Sequence, residues 1–195
     1  MNYDLTNPVV LLVIAVVVLL IVWVVVWVVR KQGNEQRTEQ LRARFGPEYD
    51  LALREYGSRK KAEAALLDRV NRVSRMTVHP LSEQERARFL TEWEAIQARF
   101  VDHPHAAVTE ANEMFNSLLQ ARGYEAGAFD RRAADLSVHH SSLVEPYRRT
   151  NAILVRAARN EVTTEELRSA MILYRNLIEE LLQEGPAPVV RSEAA

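Results

Sequence analysis

Residues 9–29 read VVLLVIAVVVLLIVWVVVWVV, 21 consecutive apolar residues without a charge, glycine or proline. As a helix rising ~1.5 Å per residue the run reaches ~32 Å, against roughly 30 Å of bilayer hydrocarbon. Nothing else in the chain resembles it. Each Val, Ile or Leu favours insertion by roughly 0.3–0.6 kcal/mol at a helix centre, so the run is expected to be a transmembrane helix. A cleaved signal peptide fits poorly. The preceding MNYDLTNP carries Asp4 and no Lys or Arg, and WVVVWVVRKQ offers bulky residues where a peptidase needs small ones.

Charge sets the expected orientation. Arg30 and Lys31 follow the run at once, and Arg37, Arg42 and Arg44 lie close behind. The positive-inside bias then places the C-terminal side in the cytoplasm, with residues 1–8 a short extracytoplasmic tail. This predicts a single-pass protein of the inner (cytoplasmic) membrane. Pro8 suits a first helical turn, where its missing N–H costs nothing. Trp23 and Trp27 are four apart, hence on one helix face; with Arg30 and Lys31 they form the expected membrane interface. The run lacks the small-xxx-small spacing that lets two such helices pack closely.

The remaining chain divides by composition into a polar, basic linker at residues 30–44, a domain at 45–184 and a disordered tail at 185–195. There are no cysteines, which excludes disulfides, thiol catalysis and Cys-based zinc sites. The net charge of −1 conceals an asymmetry: residues 30–76 hold 12 Lys/Arg against 7 Asp/Glu, residues 77–195 hold 13 against 18. The basic part can be drawn to anionic lipid at short range or can simply be a solvated helical surface that sets topology, and its mixed sign does not suit nucleic acid.

The domain reads as helices throughout. Pro47 opens a segment through Tyr56, Gly57 closes it and Ser58 caps the next, where Ala62, Leu66, Val70 and Val73 share a face. Ser82 with Glu85 forms a capping box before the stripe Phe89, Trp93, Ile96 and Phe100. Asp102 is placed to cap a helix that Gly123 ends, and residues 129–136 make a short one. Ser142 with Glu145, and Thr163 with Glu166, are two further expected boxes; the last helix runs through Leu182. With no period-2 alternation, the expected fold is all-α: one N-terminal transmembrane helix followed by a cytoplasmic helical bundle.

The chemical motifs are weak. His103 and His105 do not match the i, i+4 pairing of helical metal sites, and His139-His140 beside Ser141 and Ser142 lack an orienting group and oxyanion hole. No cofactor, metal or catalytic set is marked. The paired basics Arg131-Arg132 and Arg148-Arg149 suit either an acidic partner or phosphate, or pairing with helix carboxylates such as Asp135, four residues after Arg131. Candidate interaction residues are therefore Arg131, Asp135, His140, Tyr147, Arg148 and Tyr174. Two functional classes follow. One is a membrane-anchored interaction or envelope-scaffold module, with the bilayer and a protein as partners. The other is a tethered enzyme or ligand-binding domain, which needs His140, Tyr147, Arg148 and Tyr174 around one cavity.

The segments FGPEYDLALREYGSRKKAEAAL, HPLSEQERARFLTEWEAIQARFVD, ARGYEAGAFDRRAADLSV and LRSAMILYRNLIEELL resemble a bacterial family of all-helical proteins of unknown function. Many of its members carry an N-terminal hydrophobic segment. The resemblance covers residues 45–182, most specifically Phe100-Val101-Asp102, Arg122-Gly123-Tyr124 and residues 132–138. Where the family pattern has Asp-His-Pro, this chain has His139-His140-Ser141, so only His140 matches. The resemblance implies no activity, ligand or catalytic residue.

Overall fold

The computed structural model describes the backbone of residues 8–183, with side chains at 17–25, at 27 and from 35 onward. The described residues form eight α-helices and no strand: α1 (Pro8–Phe45), α2 (Pro47–Tyr56), α3 (Arg59–Val73), α4 (Glu83–Arg99), α5 (Pro104–Ala121), α6 (Phe129–Leu136), α7 (Ser141–Ala157) and α8 (Thr164–Gln183). The chain divides into two compact units, at Ala43 and Arg44. The terminal tails expected at residues 1–8 and 185–195 lie outside the described residues, except Pro8, which opens α1.

The first unit is helical. Every described side chain at 17–25 and at 27 is apolar, and each is at least 46% exposed. Nine consecutive residues cover all directions around a helix, so this stretch has no buried face. Among the described residues no helix is long and apolar enough to cross a membrane. The backbone of the expected span at 9–29 is helical, and its side chains at 9–16, 26, 28 and 29, with those of Arg30 and Lys31, lie outside the described ones. The polar segment expected as a linker at 30–44 is part of α1. Residues such as Glu35, Glu39, Gln40, Leu41 and Ala43 are good helix formers, and extending a helix needs no new nucleus.

The second unit is a bundle. Phe89, Trp93 and Ile96 of α4, Val108, Ala111, Phe115 and Leu118 of α5, Leu143, Val144 and Tyr147 of α7, and the inward stripe of α8 from Leu167 to Leu182 form its core. α7 runs antiparallel to α8, as the pairs Ser142–Glu180 and Arg156–Glu166 require. α5 runs parallel to α8, since Asn112–Tyr174 and Arg122–Leu181 advance together. The α2–α3 hairpin is tied to this core by polar links. Arg72 Nε donates to Asp135 Oδ1 at 2.8 Å, and Arg148 Nη2 to Glu48 Oε2 at 3.0 Å.

Local chemistry sets most helix ends. Ser82 Oγ accepts from Glu85 N at 3.2 Å while Glu85 Oε2 accepts from Ser82 N at 2.9 Å. Thr163 and Glu166 repeat this reciprocal pair at 3.2 and 2.9 Å. Two expected caps are corrected. α5 is capped at His103, without a side-chain bond, because Pro104 takes the first helical position and so makes its neighbour the cap. α7 starts at Ser141, one residue before the expected box, which puts Ser142 inside the first turn, where its hydroxyl donates to Glu180 at 3.1 Å. We expect Ser82→Ala to cost about 1 kcal/mol in a denaturant titration, and Ser142→Ala less, because only the first removes a cap.

Candidate functional site

Two polar groupings interrupt the bundle core. The first gathers at the meeting of the C-terminal ends of α5, α6 and α8 with the start of α7. Arg122 is only 1% exposed, and its Nη1 donates to Leu181 O at 3.0 Å, placing a cation at the negative end of α8. Tyr124 Oη lies 3.1 Å from His139 Nδ1, and His140 Nδ1 lies 4.0 Å from Glu180 Oε1. Arg44 reaches the same corner, its Nε donating to Val138 O at 3.1 Å.

Burial lowers the pKa of His140 to about 4, with His139 and Arg122 adding repulsion; His139 is lowered too, by burial and then by Arg44 and Arg122. The folded state therefore holds His140 neutral where the unfolded chain takes a proton. Stability is complete above the unfolded pKa of 6.5 and falls as pH drops from there toward about 4. We expect a loss of about 2–3 kcal/mol across that window, measured by denaturant titration, and a flatter profile in His140→Gln.

The second grouping is central. The Tyr147 and Phe115 rings lie 5.0 Å apart and those of Tyr174 and Phe115 6.3 Å, so one phenylalanine separates the two tyrosines. Tyr147 Oη donates to Asn116 Oδ1 at 3.4 Å and Tyr174 Oη to Asn112 Oδ1 at 3.2 Å. Burial raises both tyrosine pKa values, which keeps both hydroxyls protonated as donors. The Arg132 guanidinium opposes that shift at Tyr147, and Thr150 accompanies Tyr174.

The candidate residues from the sequence thus separate. Tyr147 and Tyr174 meet around Phe115, His140 belongs to the other grouping, and Arg148 pairs with the buried Glu48 of α2. The four do not surround one cavity. The expected Arg131–Asp135 pair is corrected. Arg131 pairs with Glu125 at 2.8 Å, whereas Asp135, 2% exposed, faces inward and is taken by Arg72. Trp23 and Trp27 are 66% and 55% exposed. Asn112 and Asn116 were not anticipated. Their signal was available, two amides four apart flanking the apolar stripe of α5.

A cavity of about 360 Å³ opens between α4 and α5. Buried Ile96 and Met114 floor it, and Glu92, Glu110 and Glu113 rim it, with Arg99 tied to Glu110 at 2.9 Å. None of the sequence candidates lines it. Among the described residues no group of three or more His, Asp or Glu side chains is placed to hold a metal ion. No family model matches the chain, and no curated protein or solved structure matches it.

Proposed function

We propose that this protein is a single-pass inner-membrane protein whose C-terminal helical domain is cytoplasmic and serves as a protein-interaction or envelope-scaffold module. One observation carries the reading. The head of α1 is apolar and exposed on every side over its described side chains, within a run of 21 apolar residues. In water such a surface is unfavourable over its whole circumference; in lipid it needs no covering. The Arg30 and Lys31 flank supports the orientation, and the bacterial family that the chain resembles pairs a hydrophobic segment with a helical domain in the same way.

The dispersal of His140, Tyr147, Arg148 and Tyr174 favours interaction over catalysis, because acid–base and nucleophilic chemistry need such groups within reach of one reacting centre. The acid-rimmed groove on α4 and α5 suits a partner segment carrying basic side chains on an apolar face. Alkaline carbonate washing of membranes tests the anchor. The wild-type chain stays in the pellet, and Leu19→Arg with Leu20→Arg moves it to the supernatant, since each central charge costs roughly 2.5–3.5 kcal/mol of insertion. Wild-type protein released by the wash would remove the reading. Pull-down from gently solubilised membranes separates the two classes: a specific protein partner supports the module, a co-purifying small molecule the tethered enzyme or binder.

A further inference from the structure

Arginines that pack against this bundle are held by carboxylates or by backbone carbonyls, as Arg122 is by Leu181 O and Arg44 by Val138 O. Arg72 has Asp135, and Arg148 has Glu48; the two carboxylate side chains are 3% and 5% exposed. Arg132, half-buried on α6, has no carboxylate within ion-pair distance among the described residues, and its Nε is a buried donor with no hydrogen-bond partner. Its neighbours are neutral donors and rings. Tyr147 lies against the guanidinium, Tyr174 is within its electrostatic reach, and the rings of Phe129 and Tyr147 are 4.7 Å apart. Asn112 and Asn116 each give their carboxamide oxygen to a tyrosine, which leaves the N–H donors of both amides for another acceptor.

We propose that Arg132, with the amide N–H groups of Asn112 and Asn116 oriented by the hydroxyls of Tyr147 and Tyr174, forms a binding site for a small oxyanion, a carboxylate or a phosphate group. The chemistry is one-sided. A guanidinium fork presents parallel N–H donors that match two oxygens of such an anion, and charge-assisted bonds of this kind are strongest where water is partly excluded. The surrounding groups add donors and supply no competing negative charge. A half-buried cation lacking a counter-charge is itself unfavourable, so an anion that fills the site stabilises the folded state by mass action. The site draws on α5, α6, α7 and α8, none of its residues lines the α4–α5 groove, and it does not depend on the membrane-anchored reading.

Thermal unfolding of the full-length protein in a non-ionic detergent, titrated with inorganic phosphate or acetate against chloride at matched ionic strength, tests the assignment. The expected result is a saturable rise in Tm with phosphate or acetate that chloride does not give. Preference for phosphate assigns a phosphoryl ligand; preference for acetate assigns a carboxylate, including an acidic side chain of a partner. Arg132→Gln abolishes the rise. Arg132→Lys keeps the charge but loses the fork, and weakens binding by roughly tenfold. Exposed Arg149→Gln leaves it unchanged. An absent or unsaturable rise in the wild type overturns the site, as does a rise that survives Arg132→Gln or is lost equally in Arg149→Gln. Should Arg132→Gln fail to fold, wild-type affinity in Arg132→Lys overturns it instead.

Discussion

Gly123→Ala is expected to cost on the order of 4 kcal/mol or more, a large share of the 5–15 kcal/mol that holds a typical domain folded. Gly123 has φ of +92°. A Cβ there meets Thr77 O at 2.1 Å and Thr77 C at 2.9 Å. Both are backbone atoms of the α3–α4 connection, which is pinned by His79 N donating to Arg122 O at 3.1 Å. The clash therefore cannot be relieved by turning a side chain. It must part the connection from the end of α5, beside the buried Arg122. Gly57 is the control, with φ of +64° and nothing within 4 Å of its added Cβ. Gly57→Ala bears only the left-handed backbone penalty, about 1–2 kcal/mol. Denaturant titration of both variants in detergent separates clash from conformation. Equal losses would show that Thr77 yields, and that the α5 end is not fixed as described.

The second large effect concerns the Arg72–Asp135 pair. Asp135 is 3% exposed at its side chain and Arg72 34%, so the partner left behind decides the cost. Arg72→Met strands a carboxylate in the core, for an expected loss of about 3–5 kcal/mol. Asp135→Asn strands a guanidinium that already reaches water and keeps an acceptor facing it, for about 1–2 kcal/mol. Arg72→Met combined with Asp135→Leu is expected to recover much of the single loss, because no charge then remains buried. These values are read from denaturant midpoints at constant m. A larger loss for Asp135→Asn than for Arg72→Met would contradict the burial asymmetry.

What the sequence made legible follows the range of each interaction. Ser82 with Glu85 and Thr163 with Glu166 form their boxes because a cap needs only residues three apart. The stripe from Leu167 to Leu182 was readable because a helical period declares its buried face. The partner of Asp135 is hidden from the sequence for the opposite reason. That partner, Arg72, lies 63 residues away, whereas spacing along the helix points only to the nearer Arg131. The same holds for Arg148 and Glu48, 100 residues apart. The tyrosine grouping draws on α5, α6, α7 and α8, so only the packing of those helices brings Asn112, Asn116 and Arg132 to Tyr147 and Tyr174. Spacing within one segment carries no trace of that.

The absence of native cysteines permits the most direct test of the central claim, an anchored chain with a cytoplasmic bundle. Single cysteines are introduced at Asn2→Cys, before the apolar run, and at Glu94→Cys, on the exposed face of α4. Spheroplasts are then treated with a membrane-impermeant maleimide, with and without permeabilisation. The account predicts labelling at position 2 in intact spheroplasts, and at position 94 only after permeabilisation, with both variants in the membrane fraction. Labelling of position 94 from outside, or recovery of the protein in the soluble fraction, would contradict it.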